Sequence, residues 1–190
     1  KKYKIQERFI LFLGRFHTVK GIDTLLDSIS QIKNEYVMTN IKIVIMGVDF
    51  GYEQVMERKI NEFKLNNKIF LIKNPSREDV LSAYNACEFL VLPSKWELSP
   101  LTPLEGFAFK KTVISTTAHG IPYTIQHEKN CILVEPNDSS KLSNAILELI
   151  GDKNKSEKLG LAGYNLVHST CNSKNMVNET LDVYKQLVKK

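Results

Sequence analysis

Two hydrophobic periods alternate along this chain. Phe9-Ile10-Leu11-Phe12-Leu13 is an unbroken apolar run stopped by Gly14, which reads as a strand buried on both faces. Ile22, Leu25, Leu26, Ile29 and Ile32 follow at helical spacing. The unit then repeats. A strand over 41–46 ends at Gly47, and a helix is predicted over 53–63. A third strand covers 68–72, and Ser76 opens a helix to Ala86, with Asp79 three residues on in a near capping box. The fourth strand, 89–92, leads to a helix ending near Phe109, and a fifth strand covers 112–115. Residues 121–126 form a turn or short helix, and 131–134 a sixth strand. Pro136-Asn137-Asp138 breaks the chain before a helix capped by Ser139 or Ser140 and running to Ile150.

Six strands alternating with helices predict an α/β domain built on a doubly wound parallel sheet, with helices on both faces. Past Gly151 the pattern changes to two helices, 155–168 and 173–189, with no further strand. Met176, Val177, Leu181, Tyr184, Leu187 and Val188 give the second an apolar face that either finishes this domain or reaches toward another. The expected organisation is one domain over 1–190, with a linker at 1–8, an α/β core at 9–150 and the C-terminal helices at 151–190. The opening, which enters a strand almost at once, reads as that of an excised domain.

In a doubly wound sheet, ligands bind outside the carboxyl ends of the strands. The notable polar residues gather there. Gly14, Arg15 and Lys20 follow the first strand, Gly47 and Asp49 the second, Lys73 and Asn74 the third. Glu97 and Glu105 follow the fourth, and His119 and Gly120 the fifth. Arg as a fork and Lys as a point charge at a helix start suit a diphosphate. The spacing is neither a Walker loop nor a G-x-G-x-x-G fingerprint, and either cation taken alone reads as an ordinary surface charge.

The segment Ser94-Lys95-Trp96-Glu97-Leu98-Ser99-Pro100-Leu101-Thr102-Pro103-Leu104-Glu105 holds two carboxylates with seven residues between them. Thr102 and Pro103 suit an N-cap and first helical residue, and N–H groups at such a start favour an anion. Alone, the acids fit a solvated pair, a glycosidase pair or part of a metal shell, for which no His or Asp neighbours them. The basic loop on the same edge favours contacts to a phosphorylated sugar. Trp96 reads first as a plug against the core, and the four histidines are scattered.

Composition narrows this little. With 190 residues, 43% hydrophobic and 25% charged, the chain is globular rather than disordered. The charge of +5 comes from lysines spread along the chain and densest at both ends, a solvated surface with weak attraction for anions or membranes. No nucleic-acid motif accompanies it. Three separated cysteines, Cys87, Cys131 and Cys171, make no disulfide framework and point to a reducing, cytoplasmic compartment. No apolar run is long enough to span a membrane.

Together, Gly14-Arg15, Lys20-Gly21, Gly47, Ser94 to Glu105, the 112–116 run Thr-Val-Ile-Ser-Thr, His119-Gly120-Ile121-Pro122, and the 131–138 run Cys-Ile-Leu-Val-Glu-Pro-Asn-Asp resemble the C-terminal half of GT-B glycosyltransferases. More narrowly, they resemble the large retaining family called glycosyl transferases group 1. The likeness covers roughly 9–150 in order, and the two spaced glutamates are its most specific element. The resemblance implies a domain that binds a nucleoside diphosphate sugar, with a separate N-terminal half for a glycan or lipid-linked acceptor. Arg15 and Lys20 would hold the diphosphate, helped by backbone N–H groups from Ser99 through Leu101 to Thr102. Glu105 would bond the ribose, Glu97 would lie beside the transferred hexose, and the loop at Lys73 and Asn74 would pack on the base. Glu97, Arg15 and Lys20 are thereby the expected catalytic residues. No cofactor or metal is expected, and the full protein could sit at the inner face of a membrane. Tyr123 stands where the family segment has an acid, and Gly106-Phe-Ala-Phe-Lys-Lys111 replaces an alanine-rich stretch. A binding module without turnover, or a GT-B epimerase or phosphorylase, remains an alternative.

Overall fold

The computed structural model describes Tyr3 and residues 5–188. Lys1, Lys2, Lys4, Lys189 and Lys190, which include most of the terminal lysines and the end of the last predicted helix, lie outside the described residues.

β1 (Arg8–Leu13), β2 (Ile41–Gly47), β3 (Ile69–Lys73), β4 (Leu90–Val91), β5 (Val113–Thr116) and β6 (Ile132–Val134) form one parallel sheet in the order β3-β2-β1-β4-β5-β6. The doubly wound architecture expected from the alternation is present. β1 and β2 are in register from Arg8↔Ile41 to Leu13↔Met46. Their apolar residues are buried on both faces, as the unbroken run at 9–13 predicts for β1; β2 follows suit around the half-buried Lys42. The fourth strand is shorter than its apolar run suggests: only Leu90 and Val91 pair in the ladder, although Phe89 and Leu92 are buried too.

α1 (Ile22–Ile32), α2 (Glu53–Glu62) and α6 (Ser139–Gly151) cover one face of the sheet. Ile22, Leu25, Leu26 and Ile29 of α1 are fully buried there against Leu142 and Ile146 of α6. α3 (Arg77–Ala86), α4 (Thr102–Ala108) and α7 (Lys153–Ser169) lie on the other face, over Leu11, Val44, Leu90 and Val113. A short α5 (Ile121–Thr124) connects β5 to β6.

The helix starts show how local chemistry sets boundaries. Ser76 and Asp79 complete a full capping box on α3. α6 is capped by Asp138, whose carboxylate accepts from Lys141 N–H, rather than by Ser139 or Ser140. The acid of the turn already lies one residue ahead of the helix. α4 likewise begins a residue early: Leu101 is its N-cap without a side-chain bond, Thr102 is its first residue, and Pro103 follows, needing no donor there. The last helix, α8 (Ser173–Val188), buries none of its residues, and Met176, Leu181, Tyr184 and Leu187 are exposed. Its apolar face therefore does not complete this core.

Candidate functional site

Strand order reverses between β1 and β4, so the loops leaving these strands diverge to opposite sides and open a crevice at their carboxyl ends. The loop after β1 carries Gly14, Arg15 and Lys20. The loop after β4 carries Ser94 to Leu101. Side chains 77 residues apart in sequence thereby meet: Lys20 Nζ forms an ion pair with Glu97 Oε1, at side-chain exposures of only 16% and 18%. A narrow cleft beside this pair is walled by Phe12, Ser94, Pro100, Thr102 and Ser115.

Three further ties fix the two loops to each other. Lys95 N–H donates to Val19 C=O at 2.8 Å, and Lys95 Nζ reaches Asp23 Oδ2 at 2.6 Å. The third is close packing at Gly21, which has φ +67°; a Cβ there would lie 1.8 Å from Pro93 O. On the other flank Gly120 N–H donates to Glu97 C=O at 2.9 Å, and a Cβ at Gly120 would sit 1.5 Å from Leu98 O. The segment bearing Glu97 is thus gripped from both sides by glycines that allow backbone to touch backbone.

Glu105, in the first turn of α4, faces a different set of partners. Tyr84 OH donates to its Oε2 at 2.6 Å, and Arg77 Nη1 lies 3.5 Å from its Oε1. Tyr84 is buried, its ring stacked on Phe109 with centroids 5.4 Å apart. Burial, and then the neighbouring carboxylate, push the Tyr84 hydroxyl far above its ordinary range, so it stays a donor.

The remaining expected residues take varied positions. Arg15 is exposed, its guanidinium 5.2 Å over the Phe50 ring, with no ion pair among the described residues. The N–H groups of Ser99, Leu101 and Thr102 carry no intramolecular hydrogen bond among the described residues. Gly47 ends β2, pressed against Gly14 O, and its carbonyl accepts from Asn74 N–H at 2.9 Å; Asn74 has φ +49°. Lys73 pairs instead with Glu53, which raises its pKa. Asp49 caps the loop after β2, accepting from Tyr52 and Glu53 N–H, bonds that hold its carboxyl below the usual range. Trp96 does not plug the core: it is 47% exposed, with its ring 5.8 Å from that of His119, which itself has φ +44°.

Among the described residues no cluster of three His, Cys, Asp or Glu could hold a metal. A cavity of about 380 Å³ lies elsewhere, between Tyr3, Ile5, α3 and the sheet face at Val44, Met46 and Ile72. It contains none of the residues that converge on the crevice.

The sequence of motifs and the crevice they build have a counterpart among known proteins. The profile of the family described as glycosyl transferases group 1 matches residues 1–166. The chain belongs to that family. An uncharacterised glycosyltransferase of Methanocaldococcus jannaschii is 33% identical over 158 residues, covering 82% of this chain and 42% of that protein. Sucrose-phosphate synthase from Thermosynechococcus elongatus superposes with a TM-score of 0.87 at 25% identity, over 99% of this chain and 47% of that one. An Anabaena protein solved with UDP-glucose has the same fold, with a TM-score of 0.82 at 20% identity, over 94% of this chain and 49% of its own. The fold is one Rossmann-like half of the GT-B architecture. The chain spans under half the length of the curated relatives it matches first.

Sequence reasoning missed Tyr84, Arg77, Lys95 and Asp23. Tyr84 had a signal, since it falls on the apolar face of α3 with Val80, Ala83 and Cys87, and a buried tyrosine hydroxyl needs a partner. The Asp23–Lys95 pair had none, because only the strand order brings 23 and 95 together.

Proposed function

We propose that this chain is the donor-binding half of a retaining glycosyltransferase, which moves a hexose from a nucleoside diphosphate sugar to a hydroxyl of a glycan or lipid-linked acceptor. The observation that carries this reading is the crevice at the strand-order reversal, where Lys20 and Glu97 are in contact and Glu105 stands on the adjoining helix. The bound UDP-glucose of the Anabaena protein with the same fold supports the same class of ligand.

Lys20, assisted by Arg15, neutralises the diphosphate, and negative charge grows there as the glycosidic bond breaks. The free N–H groups of Ser99, Leu101 and Thr102 add donors on the same side. Glu105 accepts from the ribose hydroxyls, and Glu97 faces the transferred sugar. With two cations on the leaving group, the reaction needs no metal from this half. The acceptor enters from the partner half of the full-length protein, which works in the cytoplasm, with a lipid-linked acceptor drawing it to the membrane surface.

Calorimetry on this chain with UDP, GDP and ADP tests the reading. One of them binds, and Arg15→Ala and Lys20→Ala each weaken it at least tenfold, the scale of one charge-assisted contact of about 1.5–3 kcal/mol. If none of the three binds, the donor-site reading is wrong. Chelator leaves the affinity unchanged; a loss would refute the metal-free part alone.

A further inference from the structure

We infer that Tyr84 is a positioning residue for the donor site: it holds the Glu105 carboxylate in the one orientation from which it can accept from a ribose. The inference rests on the donor reading above and extends it to a helix that reading did not involve.

Glu105 is 38% exposed at its side chain and stands at the first turn of a seven-residue helix, where a glutamate is ordinarily free to choose among rotamers. Here one oxygen is fixed. The Tyr84 hydroxyl lies 2.6 Å from Oε2, at the tip of a side chain that is 1% exposed and stacked on Phe109 of the α4 C-cap. A buried ring cannot swing away. The hydroxyl has one hydrogen bond to donate, and Glu105 Oε2 accepts it. A carboxylate has about four lone-pair directions, so the tyrosine bond leaves Oε1 and one direction of Oε2 to accept from two neighbouring hydroxyls. Arg77, 70% exposed and 3.5 Å from Oε1, adds only a loose, solvent-screened contact on the open side.

The same geometry explains a polar bond at the bottom of an otherwise apolar patch. Tyr84 sits among Val80, Ala83, Cys87 and Phe109, and a phenylalanine would fill that space equally well. The hydroxyl is therefore spent on Glu105. Pre-orienting a flexible carboxylate removes an ordering cost from binding, and that benefit exists only for a ligand carrying the hydroxyls Glu105 must meet.

The test compares Tyr84→Phe with wild type by calorimetry, using UDP and 2′,3′-dideoxy-UDP, or the GDP or ADP pair if wild type prefers that base. Tyr84→Phe is expected to weaken the ribose form on the order of tenfold and the dideoxy form less than twofold. Added to Glu105→Ala it causes no further loss, because the two act as one unit. A purely structural role weakens both ligands equally, and the ratio within one variant is independent of the fraction folded. Equal losses, or an unchanged ratio with wild type showing ribose preference, overturn the Tyr84 role while leaving the donor reading intact. Wild type that binds no nucleoside diphosphate overturns both. Wild type that binds both sugar forms equally overturns the ribose role of Glu105, and Tyr84 with it.

Discussion

Removing the expected sugar contact, Glu97, should tighten binding of the bare nucleoside diphosphate. In the structure Glu97 pairs with Lys20, the cation proposed to meet the diphosphate. Two unit charges about 4 Å apart attract by about 4 kcal/mol at an effective dielectric near 20. Both side chains are more than four-fifths buried, so lost hydration offsets much of that attraction and leaves about 1–2 kcal/mol net. A diphosphate that draws Lys20 away gives up this amount. Glu97→Gln keeps the shape and drops the charge, so Lys20 starts unpaired and the variant should bind the diphosphate about 5- to 30-fold more tightly. The unliganded variant should also melt lower, by about 1–2 kcal/mol of stability, with most of the difference restored by saturating ligand. The intact nucleotide sugar should gain less than the bare diphosphate, because its hexose loses the Glu97 contact. Titration calorimetry and melting curves, each with UDP and UDP-glucose or the preferred equivalents, read all three effects. Unchanged or weaker diphosphate binding by Glu97→Gln would refute the competition, and equal gains for both ligands would refute the contact to the sugar.

Two structural predictions probe the frame around that pair. Gly21→Ala places a Cβ 1.8 Å from the Pro93 carbonyl at φ +67°, so it should cost at least about 2 kcal/mol and lower Tm by roughly 4–8 °C for a domain of this size. Gly51→Ala, also at positive φ but with nothing within 4 Å, should cost clearly less, and equal shifts would show that backbone contact at Pro93 is not what Gly21 provides. Burial pushes the thiols of Cys87 and Cys131 up to about 12, which keeps them protonated at pH 8, whereas Cys171 is exposed. Maleimide under native conditions should therefore modify one equivalent quickly, at Cys171, and three only after denaturation; fast labelling of either buried thiol would contradict the packing.

The sheet and its strands were legible because short apolar runs, unbroken in β1 and interrupted only by Lys42 in β2, are bounded by glycine and alternate with segments of helical spacing. Boundaries slipped by a residue or two where two residues compete to cap. Asp138 preceded the serines at α6, and at α4 the turn closed on Leu101 before Thr102. The grouping of cations and acids at one sheet edge also followed from alternation alone, since every βα loop opens on that edge. What alternation cannot give is which loops are neighbours. That depends on the order β3-β2-β1-β4-β5-β6, and it turns separately assigned roles into contacts. Lys20 and Glu97 were read as holding different parts of a ligand, yet they hold each other. Glu105 was read from its place on a helix, yet its orientation is fixed from another helix by Tyr84. Three expected ligand contacts at the crevice, Lys20, Glu97 and Glu105, thus carry internal partners that a ligand must displace or share. The Lys20–Glu97 bond is one to displace, because a cation cannot fully serve an acid and a diphosphate together. The Tyr84–Glu105 bond is one to share, because a carboxylate keeps acceptor directions to spare. Breaking the first should therefore strengthen diphosphate binding, and breaking the second should weaken ribose binding.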